Sequence, residues 1–294
     1  MNVEVKMPRA AIVYFSQGGT TSKVAKQIAA GFEAKQCQAD LINLTDCQSI
    51  DIKKYDVLGI GSPVYYFRPP CLVVDYIESL PSLVGLKSFV FLLHGTYPFD
   101  AGDRIRRQLS RKGAQEIGYF SCYGADYFLG YLQRGYLFSP KHPTEEEFAQ
   151  ALSFGERMAT NLIEKQDYLA MNDKKLVPLI YRLERFLTGR WLIEQIYNRL
   201  FYVSTKKCRS CGLCRKLCPT HNIGEDDKRQ PTWGRNCLLC LTCEMKCPTG
   251  AITSPVSWPL FFPFMSYNVW RASKDSSIDF IRVKHDNGRI DPVN

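Results

Sequence analysis

Histidine is scarce in this chain, with four in 294 residues, so His-rich metal chemistry is excluded. No run of about 20 apolar residues is present, which argues against a membrane-spanning helix. The opening "MNVEVKMPRA" lacks the apolar core of a secretory signal. Low-complexity segments are missing too, and a 45% hydrophobic content is that of a globular chain. A cytoplasmic address is therefore expected, where thiols stay reduced and clustered cysteines read as metal ligands. Cysteine itself is sparse outside one region. Cys37, Cys47, Cys71 and Cys122 lie scattered, the reading for small buried residues, and the other eight of twelve fall between 208 and 247.

Charge is unevenly spread. Residues 1–173 hold 18 basic and 19 acidic side chains, whereas 174–207 hold 8 and 2, a local net of +6. No recognised nucleic-acid module accompanies this basic stretch, so nucleic acid is not expected as a partner. An acidic protein or an anionic membrane surface explains the asymmetry as well.

The first 165 residues alternate apolar β-type runs with amphipathic stretches, the pattern of a parallel sheet covered on both faces. Strands are predicted at 9–15, 38–44, 55–61, 88–94 and 117–123, and helices at about 20–35, 69–79, 100–112 and 145–166. Thr144, with Glu147 three residues on, reads as a capping box for the last helix. A helical connector follows, with Pro178 in its first turn, Leu179, Leu183, Phe186 and Leu187 on one side, and a break at Gly189. That apolar side is expected to pack between domains.

The cysteine region has internal symmetry. "CRSCGLCRKLCPTHNI" (208–223) returns as "CLLCLTCEMKCPTGAI" (237–252), with every cysteine, the Pro-Thr and the last isoleucine at a constant offset of 29. Thiolates are soft ligands for iron–sulfur clusters or zinc. Two-residue gaps wrap three sulfurs around three corners of a cube, and the fourth cysteine of each run crosses to the other cluster. On this reading Cys208, Cys211, Cys214 and Cys247 hold one [4Fe–4S] cluster, and Cys237, Cys240, Cys243 and Cys218 hold the second. Pro219 and Pro248 turn the chain away after each run, and Gly212 lets backbone amides approach the sulfides. A pair of zinc sites is the competing reading, but zinc favours separated pairs of ligands over two runs of four. Across 205–254 the region resembles the bacterial two-cluster ferredoxin domain, which implies an electron-transfer module.

In the first half, "YFSQGGTTSK" joins the first strand to the first helix and offers amides and hydroxyls to an anion. It has no Gly-Lys-Ser/Thr ending, which excludes a nucleoside-triphosphate loop. "GSPVYYFRPP" and "HGTYPFDAG" follow the third and fourth strands, and in a doubly wound sheet all three loops would meet at the strand ends. Candidate contacts are Ser16, Gln17, Gly18, Gly19, Thr20 and Thr21 around a phosphate. Pro63, Val64, Tyr65, Tyr66, Phe67, His94, Gly95, Thr96 and Tyr97 would stand around a planar ring. His94 reads as a structural histidine or a proton donor, and Arg68 as a surface arginine or a counter-charge. Core packing or a protein contact patch is the competing account of the aromatics.

Residues 8–166 resemble the flavodoxins, with Ser16, Gly19 and Thr21 at the positions of their phosphate signature and Gly18 departing from it. The resemblance implies a flavodoxin-like doubly wound five-stranded α/β fold and FMN as ligand. The order of the parts resembles the flavodoxin–ferredoxin fusion proteins of anaerobic prokaryotes. The expected division is 1–168 for FMN, 169–204 as basic connector, 205–254 for two [4Fe–4S] clusters, and 255–294 as an aromatic, proline-rich tail. Function is expected to be electron transfer between FMN and a protein redox partner, of acidic character if it meets the basic connector. A flavin-dependent reductase of a small molecule and a redox-sensing or membrane-docked interaction protein are the alternatives.

Overall fold

The computed structural model describes residues 7–46, 50–164, 177–286 and 289–293, so Cys47 and the expected domain boundary at 168 lie outside the described residues. It divides into two units, Met1–Gly124 with Lys141–Val177, and Ala125–Pro140 with Pro178–Asn294.

In the N-terminal unit, β1 (Arg9–Tyr14), β2 (Gln38–Asn43), β3 (Val57–Pro63), β4 (Lys87–His94) and β5 (Gln115–Tyr123) form one sheet. Every pairing is parallel, in the order β2-β1-β3-β4-β5. The central strands are buried almost throughout and the edge strand β2 is not, as covering on both faces requires. The crossovers are α1 (Thr20–Ala34), α2 (Cys71–Ser79) and α3 (Ala101–Arg111), and a fourth long helix, α5 (Glu145–Glu164), follows β5. These boundaries fall within about two residues of those predicted.

Two glycines set how closely α1 and α5 approach. A Cβ on Gly31 would stand 2.3 Å from the Leu152 carbonyl oxygen, and one on Gly155 would stand 2.2 Å from that of Ile28. Beneath them Phe32, Phe89 and Phe154 are buried, with ring centroids 5.6 and 5.8 Å apart along the row. Full burial of one such side chain stabilises by roughly 1.5–3 kcal/mol. The α5 start carries both halves of its capping box. The Thr144 amide donates to Glu147 Oε2 at 2.7 Å, and the Glu147 amide donates to Thr144 Oγ1 at 3.2 Å.

The C-terminal unit begins inside the first. Residues 125–140 contribute α4 (Leu129–Leu132) and β6 (Tyr136–Phe138). Then come α6 (Leu179–Leu187), α7 (Arg190–Gln195), β7 (Tyr202–Val203), α8 (Leu213–Lys216), β8 (Ile223–Glu225), β9 (Pro231–Trp233), α9 (Thr242–Met245) and β10 (Ile252–Thr253). The final segment folds as α10 (Phe262–Ala272), β11 (Phe280–Asp286) and β12 (Arg289–Pro292). Strand β11 pairs antiparallel with both β12 and β6. The expected tail is thus a sheet and a helix, and the division differs from the expected one where 125–140 joins it.

The connector corrects a second expectation. Pro178 is the N-cap of α6 and Gly189 that of α7, so the break stands where it was read. Most of the apolar side does not pack inward: Leu179, Leu183 and Phe186 are 78, 49 and 72% exposed, and only Leu187 is half-buried. The inward side is Tyr181, Glu184, Arg185 and Thr188. Of its polar groups, Glu184 Oε2 accepts the Asn268 amide of α10 at 2.9 Å, and the Thr188 hydroxyl donates to the Glu184 carbonyl. Helical period fixes which residues share a face, and only available partners decide which face turns inward.

Candidate functional site

The loops after β1, β3 and β4 all leave the same end of the sheet, beside the point where strand order reverses between β1 and β3. This is where ligands sit in open α/β sheets. The first loop ends at Gly19, whose φ of 87° is the left-handed conformation that suits glycine, and Gly19 caps α1 with no side-chain bond. No acidic residue lies in the first turn of α1, so no side chain of that turn offsets the positive end of the helix dipole. Nothing lies within 4 Å of where a Cβ on Gly18 or Gly19 would be, leaving open space over the amides. Ser16 Oγ accepts the Ser22 amide at 3.1 Å and keeps its own proton to donate. Thr21 is buried, and Thr20 and Gln17 are half-buried.

The second loop turns back at Tyr65–Arg68, where each amide donates to the other's carbonyl, at 2.9 and 3.0 Å. Its central residues Tyr66 and Phe67 have φ of 48° and 60°. That is the two-residue turn usually built from Asn and Gly, here built from aromatics at a cost of order 1–3 kcal/mol per residue. Tyr65 donates its hydroxyl proton to Gln17 Oε1, tying the second loop to the first, and its ring meets Phe15 edge-on at 6.0 Å. Pro63, Val64, Tyr65 and Tyr66 are half-buried. Phe67 turns inward instead, 5% exposed and set against Phe99.

In the third loop His94 Nδ1 stands 2.9 Å from the Thr96 carbonyl, an acceptor only, so Nδ1 carries the proton. The imidazole leans on Tyr123 at 4.6 Å. Gly95 and Tyr97 are half-buried and Thr96 is buried. Phe99 and Tyr123 escaped the sequence reading. Phe99, with φ of 43°, stacks on Tyr97 at 5.6 Å and backs Phe67; only the run of aromatics around it could have flagged it.

The offset of 29 in the C-terminal unit is structural as well as sequential. Helices α8 and α9, strands β7 and β9, and strands β8 and β10 occupy equivalent places. Ser210 and Leu239, Gly212 and Leu241, and His221 and Gly250 all have positive φ. Gly212 therefore has a leucine as its counterpart, which nothing in the spacing announced. The Asn222 amide donates to Cys218 Sγ at 3.3 Å, and the Ala251 amide donates to Cys247 Sγ at 3.3 Å.

A cavity is lined by Cys208, Cys211, Cys214 and, from the other run, Cys247. Burial first, then the nearness of Cys211 and Cys208, pushes the Cys214 thiol up. Burial pushes Cys237 up to about 12, with Cys240 and Cys218 adding to the rise. Cys243 is raised well above the thiol range by burial and by Cys240 and Cys237. Cys218 thus stands electrostatically with the second run, and Cys247 lines the cavity of the first. Cys247 shows the opposite direction: burial acts to raise it, but amides of Ala251, Thr249 and Ile252 and the Thr249 hydroxyl together lower it.

These residues fit a cationic cluster. Sulfurs crowded in an apolar setting repel one another as thiolates until positive charge is placed among them. The indole N–H of Trp233 is buried with no nitrogen or oxygen acceptor and stands close enough to Cys243 to favour its thiolate, as a donor to sulfur would. Among the described residues no three His, Cys, Asp or Glu groups converge to hold one metal ion, and no helix is long and apolar enough to cross a membrane. The three loops equally fit a phosphate-bearing planar ligand, through amides, hydroxyls and open space at Gly18 and Gly19.

A family profile described as "Flavodoxin domain" matches residues 11–133. An uncharacterized protein of Methanocaldococcus jannaschii is 27% identical over 144 residues, which are 48% of this chain and 91% of that protein. A flavodoxin of Maridesulfovibrio salexigens is 31% identical over 121 residues, 38% of this chain and 83% of that protein. Among solved structures, the flavodoxin of Streptococcus pneumoniae TIGR4 superposes with a TM-score of 0.43 at 19% identity, covering 52% of this chain and 99% of that one. The two-electron reduced flavodoxin of Megasphaera elsdenii superposes with a TM-score of 0.41 at 23% identity, covering 51% and 98%. With the profile and the Maridesulfovibrio relative both falling on the sheet whose loops have just been described, the chain belongs, through its N-terminal half, to the flavodoxin family.

Proposed function

We propose that this protein is an iron–sulfur flavoprotein that transfers electrons between FMN and a protein redox partner by way of two [4Fe–4S] clusters. The observation that carries the iron–sulfur part is the cavity bounded by Cys208, Cys211, Cys214 and the crossed Cys247. Cys218 is the corresponding crossed ligand among Cys237, Cys240 and Cys243. When bound, FMN supplies a two-electron carrier and the clusters one-electron carriers, so the chain links pairwise to single-electron chemistry. The residues do the rest. Amides of 18–21 and the Ser16 hydroxyl hold the phosphate at the α1 N-terminus. Tyr65 and Tyr66 on one loop and Tyr97 on the other hold the ring, and His94 is fixed beside them by Thr96 and Tyr123. The Ala251 amide favours the thiolate form of Cys247 and the indole of Trp233 that of Cys243, and the Asn222 amide donates to Cys218 Sγ.

Oxygen-free purification with cofactor analysis tests this reading. About eight irons and one FMN per chain are expected. A colourless preparation, or zinc in place of iron, would overturn it.

A further inference from the structure

The outward face of the connector is a chemical oddity. Within 179–199 eight positions are exposed, and they are five apolar side chains and three arginines, with no acidic residue among them. Leu179, Leu183 and Phe186 follow one another at helical spacing along α6, and Trp191, 66% exposed, continues the series on α7. Arg182 lies between the leucines, and Arg190 and Arg199 stand beyond. Glu184, which would have opposed this charge, is turned inward to Asn268, and Glu194 is paired with Arg190.

By contrast, the large apolar side chains exposed on the N-terminal unit, Met7, Leu41, Val84 and Ile163, belong to separate elements. In the C-terminal unit Trp258, Leu260, Phe262 and Trp270 are exposed as well, but among the described residues only the connector combines such a row with unpaired arginines. Glu184 and Thr188 on its inner side are hydrogen-bonded, which holds the outer ridge of α6 toward solvent.

We propose that the outer face of α6 and α7 docks on a membrane surface that carries anionic lipid headgroups. A helix lying in the interface buries an apolar ridge among acyl chains and leaves its cations at headgroup level, where tryptophan is also favoured. Charge decides between occupants. A second copy would bring arginine against arginine across a symmetric contact, whereas an anionic leaflet attracts Arg182 and Arg199, the two arginines of the face not paired with Glu194. The inference does not depend on the redox reading, since none of these residues belongs to the cysteine runs or to the three loops.

Sedimentation of the full-length, cofactor-loaded protein with vesicles tests it. Phosphatidylcholine vesicles containing phosphatidylglycerol should carry the protein down at low salt, and pure phosphatidylcholine vesicles should not. Arg182→Glu should weaken binding by roughly 5- to 30-fold, since each cation near the surface contributes about 1 kcal/mol. The double variant Leu183→Ser, Phe186→Ser should abolish it at every salt concentration. Brominated lipids should quench fluorescence that Trp191→Phe removes. All these positions are exposed, and unchanged visible spectra and iron content would show that the variants fold. Failure to bind the anionic vesicles overturns the proposal, as does binding indifferent to the two serines. A dimer in light scattering that the serines dissolve would assign the face to a second copy instead.

Discussion

Helices α5 and α6 both read as amphipathic in the sequence, and their apolar sides face opposite ways. Helix α5 turns Ala151, Phe154, Met158 and Ala159 into the sheet, while α6 turns its apolar residues outward and a tyrosine, a glutamate and an arginine inward. The N-terminal unit offers α5 a broad apolar sheet with glycine at the crossing. The C-terminal unit offers α6 a polar slot built around Asn268. Periodicity describes a helix, and the surface that receives it decides the rest.

The largest expected effect lies in the cysteine region. Cys218→Ala should lower the iron content from about eight to about four per chain, although Cys218 belongs by sequence to the first run. An unchanged content, or loss of the cluster at Cys208, Cys211 and Cys214, would break the crossed arrangement. Next comes a matched pair of substitutions. Phe154→Ala should cost roughly 3–5 kcal/mol, whereas Phe186→Ala should stay within about 0.5 kcal/mol. Because the two units need not unfold together, segment-resolved hydrogen exchange is the measurement of choice. Equal losses at the two positions would show that α6 is buried in solution.

Removal of the Thr144 hydroxyl tests the helix that behaves conventionally. Thr144→Ala should cost about 1 kcal/mol, confined to exchange protection at the start of α5. The smallest effect concerns the 125–140 segment. Loss of solvent around the Asp126 carboxyl pushes it up to about 6, against the favourable bond from the Phe128 amide. Its folded value then exceeds the unfolded one, so the folded form holds the proton more tightly. Stability is full below about pH 4 and declines as pH rises through about 6. Asp126→Asn should therefore stabilise the C-terminal unit at pH 8 and not at pH 4, and protection that rises with pH would refute the assignment.

Much of the site was legible because its chemistry is local. The residues between β1 and α1 announce an anion-binding turn by their glycines and hydroxyls, and the eight cysteines announce themselves by spacing. The inward turn of Phe67 was not legible because a run of aromatics says nothing about which of them the turn rotates inward, and Phe99 completes that choice from another loop. Tyr123 escaped because it reaches His94 only through the pairing of β4 with β5.

By itself the sequence determined the parallel order of apolar strands and helices, the capping box of α5, the two cysteine runs and their offset. All of these depend on neighbours within a few residues or on simple repetition. Tertiary structure alone decided that 125–140 would pair with β11, that the last forty residues would form a helix and sheet, and that α6 would turn its leucines outward. These outcomes depend on partners about 80 to 150 positions away in the chain, whose hydrogen bonds and apolar surfaces no local pattern encodes.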